Sequence, residues 1–492
     1  IGWCDWSSDV CSSDLASMLI DLGIILLLVV GIRLFREPAG ARIGNYLNIV
    51  AMGAAGVVVL ARYPLNHWWL ILLMLLAGSA IGTLVALRVT MVQIPAMVAF
   101  QHGAGGVAAF LVSFIELGRA GTELTAVGTF AGIIGIIVGS ATFSGSMVAS
   151  GKLANRLSQK PVVLPSHTKI LQVIAIAVVA VGLLAGITSL PYRVFFLVLL
   201  IALSIAAGLV FSIRTGGADM PVLISFLNAT AGLAAALCGT IIQNRLLVAC
   251  GATVAASGSI LTLVMCRAMN RKLAGIFLGT PSRAESVSVP DPSTEPEPVR
   301  IQDDRDPMAR ASDVLHDAQS VIVIPGYGMA LAQAQFDVVA LANQLEKMGK
   351  TVRFAIHPVA GRMPGHMNVL LAEADVDYEK LIVDLGMINP EFPQTDAVLI
   401  VGACDVVNPA AVTQQGTPIS GMPILMAHDA KHVIVCNLDA TPGYSGVENP
   451  LYAMSNATLL FGDAKTSIEK LRELLLGDGN VVPSSDAADR SA

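Results

Sequence analysis

Charge is scarce in this chain. Asp, Glu, Lys and Arg together make up 13% of its 492 residues, about half the share found in soluble globular proteins. Apolar residues reach 54% and mean hydropathy is +0.69, so a soluble globular chain is excluded and an integral membrane protein is expected. Blocks of Lys or Arg are absent and the net charge is a modest -6, so no nucleic-acid partner is expected. Cysteines number seven, an odd count without metal-ligand spacing. That argues against a disulfide framework and a zinc site, and for a reducing environment around any soluble part. The first fourteen residues, IGWCDWSSDVCSSD, lack the basic start and apolar core of a signal peptide. They are set aside as a start-site artefact or a disordered stretch.

The apolar content is concentrated between residues 15 and 268, where nine spans can be read: 15–32, 47–61, 69–87, 93–114, 125–148, 170–189, 194–213, 220–242 and 246–266. Most reach the roughly 20 residues that a helix needs to cross a bilayer core. The odd-numbered connections and the end of the ninth span carry twelve Lys and Arg, among them Arg33, Lys152 and Arg271, against four in the even-numbered ones. This bias places the N-terminus outside and everything after residue 268 in the cytoplasm.

Residues 269–300 read as a linker, because PSRAESVSVPDPSTEPEPVR within them cannot bury an apolar face. From 301 to 478 the pattern changes to short apolar runs, SVIVIPG, TVRFAIHP, AVLIVGA and HVIVCNL, alternating with amphipathic segments. These predict buried parallel strands in a cytoplasmic, doubly wound, Rossmann-like α/β domain. Residues 479–492 are expected to be disordered.

In VIVIPGYGMALAQAQ a strand runs through Gly326, Tyr327 and Gly328 into a helix, the setting in which backbone N–H groups approach a pyrophosphate. Leu331 stands where the generic fingerprint has Gly or Ala, and the second strand does not end in a ribose-binding acid. On this pattern alone, nucleotide binding and a plain tight turn both remain open.

Longer motifs add a resemblance. GYGMALAQAQ (326–335), IHPVAGRMPGHMNVLLAEA (356–374), GACDVVNPAA (402–411), GYSGVENPLY (443–452) and FGDAK (461–465), with GGADMPV (216–222) and MCRAMNR (265–271) in the membrane part, make the chain similar to the beta subunits of proton-translocating nicotinamide nucleotide transhydrogenases. The resemblance runs from about residue 18 to 475. It implies that 301–478 hold NADP(H) in an orientation reversed relative to ordinary Rossmann proteins. It also implies that hydride comes from NADH on a separate alpha subunit, and that transfer is coupled to proton movement through the helices. A bacterial inner-membrane, lipid-embedded assembly of two alpha and two beta chains follows from the same likeness.

Carried over by position, Gly326, Tyr327, Gly328, Met329 and Ala330 lie beside the pyrophosphate, and Arg362, Pro364, Gly365 and His366 form the next loop. From the residues alone that loop reads as merely solvated. Asp405 corresponds to an acid near the nicotinamide, its alternative being a helix N-cap. Gly443, Tyr444 and Asn449 belong to a loop closing over the nucleotide, or else to an ordinary Gly-rich turn. Where the family carries Lys, Arg and Ser for the 2'-phosphate, this chain has Asn437, Leu438 and Asp439, which puts NADP(H) selection in doubt and leaves NAD(H) open; Arg353 and Arg362 are the candidate substitute cations.

In the membrane part, His102 in MVAFQHGAGGVAAF falls on the family's membrane histidine and Asn228 on its polar partner. An imidazole titrates near physiological pH, as a proton relay must. A neutral histidine bonded to a neighbouring helix carbonyl is the alternative. Ser144, Ser146 and Asp219 are further polar candidates, Asp219 more naturally a cap or a contact with the nucleotide domain. A rival reading from another class is a transporter or channel whose nucleotide domain only senses and performs no redox chemistry.

Overall fold

The computed structural model of the chain describes residues 8–34, 38–62, 67–119, 124–158, 161–189, 191–216, 219–269, 273–278, 305–363, 365–415, 417 and 419–477. Among these, nine helices are long and apolar enough to cross a membrane. They are α1 (Ser8–Leu34), α2 (Pro38–Arg62), α3 (Trp68–Arg88), α4 (Ile94–Gly118), α5 (Ala126–Leu153), α6 (His167–Ile187), α7 (Tyr192–Ile213), α8 (Met220–Ile241) and α9 (Arg245–Ala268). The second begins well before the apolar run at 47, because Pro38 suits a first helical turn and the polar residues after it do not break the helix. A short helix, α10 (Leu273–Leu278), lies within the stretch read as linker.

Helix packing follows the small residues. A side chain on Gly106 of α4 would meet the Gly139 carbonyl of α5 at 2.7 Å, and one on Gly232 of α8 would meet the Ala255 nitrogen of α9 at 2.6 Å. The backbones therefore touch, and dispersion contact replaces the hydrophobic drive that lipid cannot supply. Between α1 and α2 the tie is ionic: Arg62 pairs with the buried Asp21 at 2.8 Å.

The C-terminal domain is built on six parallel strands: β1 (Ser320–Pro325), β2 (Thr351–Ala355), β3 (Leu381–Ile382), β4 (Ala397–Val401), β5 (His432–Asn437) and β6 (Ala457–Phe461). Their order is β3-β2-β1-β4-β5-β6. All five residues of β4 are buried, as expected for a central strand covered on both faces. Around the sheet lie α11 (Pro307–Asp317), α12 (Tyr327–Leu331), α13 (Gln335–Lys347), α14 (His366–Glu373), α15 (Leu385–Ile388), α16 (Ala410–Thr413) and α17 (Ala464–Leu476). The order reverses between β1 and β4, and it is outside the carboxyl ends of such a pair that open α/β sheets hold their ligands. The chain forms two compact units, one of α1 to α7 with most of α8 and α9, the other of the sheet domain with the start of α8 and the end of α9.

Candidate functional site

At the switch point, two turns are sewn together. Gly326 donates its N–H to Val401 O at 2.8 Å, Gly328 donates to Gly402 O at 2.9 Å, and Gly402 donates to Cys436 O at 2.9 Å. The ends of β1, β4 and β5 are thus one hydrogen-bonded rim. Gly402 has φ +69°, and a Cβ there would collide with Met329 N, while one on Gly326 would collide with Gly402 O. The resemblance places both glycines of GYG beside the pyrophosphate, and their own N–H groups are spent inside the protein. What they permit is backbone-to-backbone packing of the rim. Met329 and Ala330 are fully buried, so only their backbone can face a ligand.

Beside this rim stands a polar cluster. The Arg362 guanidinium lies 4.3 Å from the centroid of the Tyr327 ring, a cation–π distance, and the rings of His366 and Tyr444 are each 6.4 Å from that of Tyr327. Arg362 and His366 are buried, at 7% and 1% exposure, not solvated as the bare sequence suggested. Gly365 takes φ +71° to start α14, and Pro364 lies outside the described residues. Nδ1 of His366 accepts the Arg362 N–H at 3.1 Å, so the proton of the neutral ring sits on Nε2. That Nε2 and the Tyr327 hydroxyl are both buried without a protein partner. Burial, with Arg362 adding to it, pushes His366 down to about 4; burial pushes the Tyr327 phenol up to about 12. Both groups stay neutral hydrogen-bond donors at physiological pH, next to a permanent cation. Two orphaned donors and a guanidinium at the switch point fit the phosphates of a dinucleotide.

His357 is likewise lowered to about 4, by burial against the opposing effect of the Pro423 carbonyl. Unfolded, both imidazoles take a proton near 6.5; folded, they resist until about 4. The unfolded chain binds more protons across that window, so stability should fall as pH drops from about 6.5 towards 4. Thermal melting of the full chain between pH 7 and 4.5 checks this: His366→Gln should flatten part of the slope, and an unaltered slope would contradict it.

Asp405 does not cap a helix through its side chain. Its Oδ1 accepts Ser445 Oγ–H at 2.6 Å and its Oδ2 accepts Ser445 N–H at 3.0 Å, and Gly443 leaves room for the carboxylate. Asn449 donates to Cys404 O at 3.3 Å, and the fully buried Asn408 donates to Glu448 O at 3.1 Å. Loop 443–449 is therefore fastened to the loop after β4 from three side chains. Asn408 and Gly402 were not singled out from sequence, since their work lies in contacts between loops far apart in the chain.

At the end of β5, Asn437 turns inward. Its Nδ2 donates to Ala403 O at 3.0 Å and to Tyr452 Oη at 2.7 Å, leaving Leu438, 72% exposed, and the exposed Asp439 at the surface. Arg353 does not substitute for a missing cation here. It is bonded to Glu391 at 2.7 Å in mid-β2, opposite Ile322 of β1, and three strand spacings, about 14 Å, separate β2 from β5.

In the membrane unit, His102 is half-buried on α4, and its Nδ1 is buried without a partner. Among the described residues no carbonyl satisfies that nitrogen. A Cβ on Gly103 would lie 3.1 Å from Ser146 Cβ, and Thr142 donates to Thr230 of α8 at 2.8 Å. With Gly145 facing Leu227, α8 runs antiparallel to α5, so Asn228 lies opposite residue 144 and His102 opposite 147. At 1.5 Å per residue the two are about 4.5 Å apart in depth. Between them Ser146 is fully buried with an unpaired hydroxyl, whereas Ser144 bonds back to Ser140 O at 3.2 Å. Asp219 immediately precedes α8.

Residues 17–473 match the family described as NAD(P) transhydrogenase beta subunit. Two curated relatives, from Rhodospirillum rubrum and from its strain ATCC 11170, are both named NAD(P) transhydrogenase subunit beta. Each is 38% identical over 456 residues, covering 91% of this chain and 96% of the relative. This chain belongs to the NAD(P) transhydrogenase beta subunit family.

Proposed function

We propose that the chain is the membrane-embedded, NADP(H)-holding half of a two-subunit hydride exchanger driven by proton movement. The observation carrying this reading is the pair of orphaned buried donors, Tyr327 Oη and His366 Nε2, flanking Arg362 at the switch point. Arg362 and these donors hold the phosphates, Gly326, Gly328 and Gly402 keep the rim tight, and Asp405, through Ser445, fastens the loop bearing Gly443, Tyr444 and Asn449. When bound, the nicotinamide ring supplies the hydride chemistry, and the protein contributes position, electrostatics and exclusion of water. The dinucleotide lies reversed, its adenosine half towards β5.

The donor NADH sits on an alpha subunit, the partner that the family's beta-subunit name implies. His102, with Ser146 and Asn228 at its depth, takes and releases the proton. Asp405 is the link by which nucleotide state reaches that proton. The assembly is two alpha and two beta chains in lipid of the bacterial inner membrane. Twelve against four basic residues in the connections support an outside N-terminus and a cytoplasmic nucleotide domain.

Family membership favours this over a transporter that merely senses nucleotide. Reconstituting the full chain with its alpha partner and following hydride exchange between NADH and an oxidised nicotinamide analogue tests it. Exchange is expected; its absence with both nucleotides bound would favour the sensor.

A further inference from the structure

The two halves of a doubly wound sheet each receive one nucleoside of a dinucleotide, and the riboses fall near the ends of the strands flanking the central pair, here β2 and β5. Resting on the orientation proposed above, the ribose that distinguishes NADP(H) from NAD(H) lies at β5. Recognition of its 2'-phosphate needs cations or directed donors, whereas a bare hydroxyl is met by an acid.

Counted among the described residues, the loops after β1, β4 and β5 (326–334, 402–409 and 438–449) contain Asp405, Asp439 and Glu448 and no Lys or Arg. Asn437 spends both amide hydrogens on Ala403 O and Tyr452 Oη, so it has no donor left for a phosphate; its buried Oδ1, without a partner, is an acceptor and suits a hydroxyl rather than an anion. Leu438 presents an apolar side chain to the surface. Asp439 is exposed, and its Oδ1 accepts the Thr441 N–H at 2.9 Å and the Thr441 hydroxyl; these bonds, the hydroxyl's first, hold its carboxyl below the usual range. It is an anion at working pH, with Oδ2 left for another donor.

Four cations outside these loops are placed or paired elsewhere. Arg362 stacks on Tyr327 on the β2 side, Arg353 is tied to Glu391, and Lys431 enters β5 at its opposite end, 2.7 Å from Asp396. Lys465, in the first turn of α17 after β6, has Asp463 as the helix cap beside it and Glu469 at 4.0 Å.

We infer that this nucleotide site does not select for the 2'-phosphate: it holds NAD(H) and NADP(H) with comparable affinity, Asp439 accepting a hydrogen bond from the unphosphorylated ribose hydroxyl. Within its family such a chain would exchange hydride between like nucleotides as readily as between unlike ones.

Calorimetric titration of the full beta chain in nanodiscs with NADPH and with NADH separates the possibilities. Dissociation constants within about threefold of each other are expected. NADPH binding tenfold or more tighter would overturn the inference while leaving the proposed site intact. Binding of neither nucleotide would overturn both. In the double variant Leu438→Arg, Asp439→Ser, altered only at surface positions, NADPH should tighten at least tenfold relative to NADH, as one charge-assisted contact provides. An unchanged ratio would show the phosphate to be held elsewhere and sink the proposal. Lys465→Gln and Arg362→Gln identify that place: if either abolishes a tenfold NADPH preference, the cation concerned reads the phosphate and Asp439 does not.

Discussion

His102→Ala is expected to abolish proton movement coupled to hydride transfer while leaving nucleotide affinity unchanged. A chargeable side chain inside a membrane costs a few kcal/mol unless something polar receives it. Among the described residues nothing receives Nδ1, which is buried and unpaired. A histidine serving only to join helices would have spent that nitrogen on a carbonyl. Close by are the unpaired hydroxyl of Ser146 and, within about one helical turn of depth, the half-buried Asn228. Such an arrangement suits water more than it suits apolar packing. Removing the imidazole deletes the one side chain among these three that can take up and release a proton. In sealed vesicles containing both subunits, acidification followed with a pH-sensitive dye should vanish, and calorimetric titration of the same preparation should return the wild-type nucleotide affinity. Full acidification by His102→Ala would remove histidine from the path.

Much of this architecture was legible in the sequence, and the reasons are physical. The nine spans are read from length and hydropathy because lipid imposes both. β1, β4 and β5 are nearly continuous apolar runs because both their faces are covered. By contrast, β3 is two residues long and β6, ATLLF, alternates between buried and partly exposed positions at the sheet edge, so neither stands out from its surroundings. Side-chain direction was harder still. The sequence offers Asn437 and Arg353 as ligand-facing candidates, and the fold gives one to the interior and the other to Glu391. Composition carries no record of which way a strand residue points once both faces are apolar. The solvated reading of Arg362 and His366 failed for a related reason: the loop is polar, but Tyr327 and the turn at Gly361 enclose it. Asn408 and Gly402 act between loops separated by dozens of residues, and no local pattern marks them.

Gly402→Ala should cost at least a hundredfold in nucleotide affinity, about 2.7 kcal/mol, and several kcal/mol of domain stability. Two penalties combine. The backbone at Gly402 has φ +69°, where an L side chain is disfavoured by roughly 1 kcal/mol. The added Cβ would also collide with Met329 N and Gly328 Cα, atoms of a helix start that has no flexible end to give way. Relief requires the turns after β1 and β4 to part, which breaks the bond from Gly328 N–H to Gly402 O and strains that from Gly326 N–H to Val401 O, each worth about 1 kcal/mol. Tyr327 and Met329 move with them, and with Tyr327 goes the ring on which Arg362 is stacked. Gly349→Ala separates the two penalties. Gly349, just past α13, has φ +84° and open space where a Cβ would stand. It should lose about 1 kcal/mol of stability and bind nucleotide normally. Thermal melting and calorimetric titration of the two variants, side by side on the full chain, decide the matter: if Gly402→Ala behaves like Gly349→Ala, backbone contact at the switch point is not what holds the nucleotide rim together.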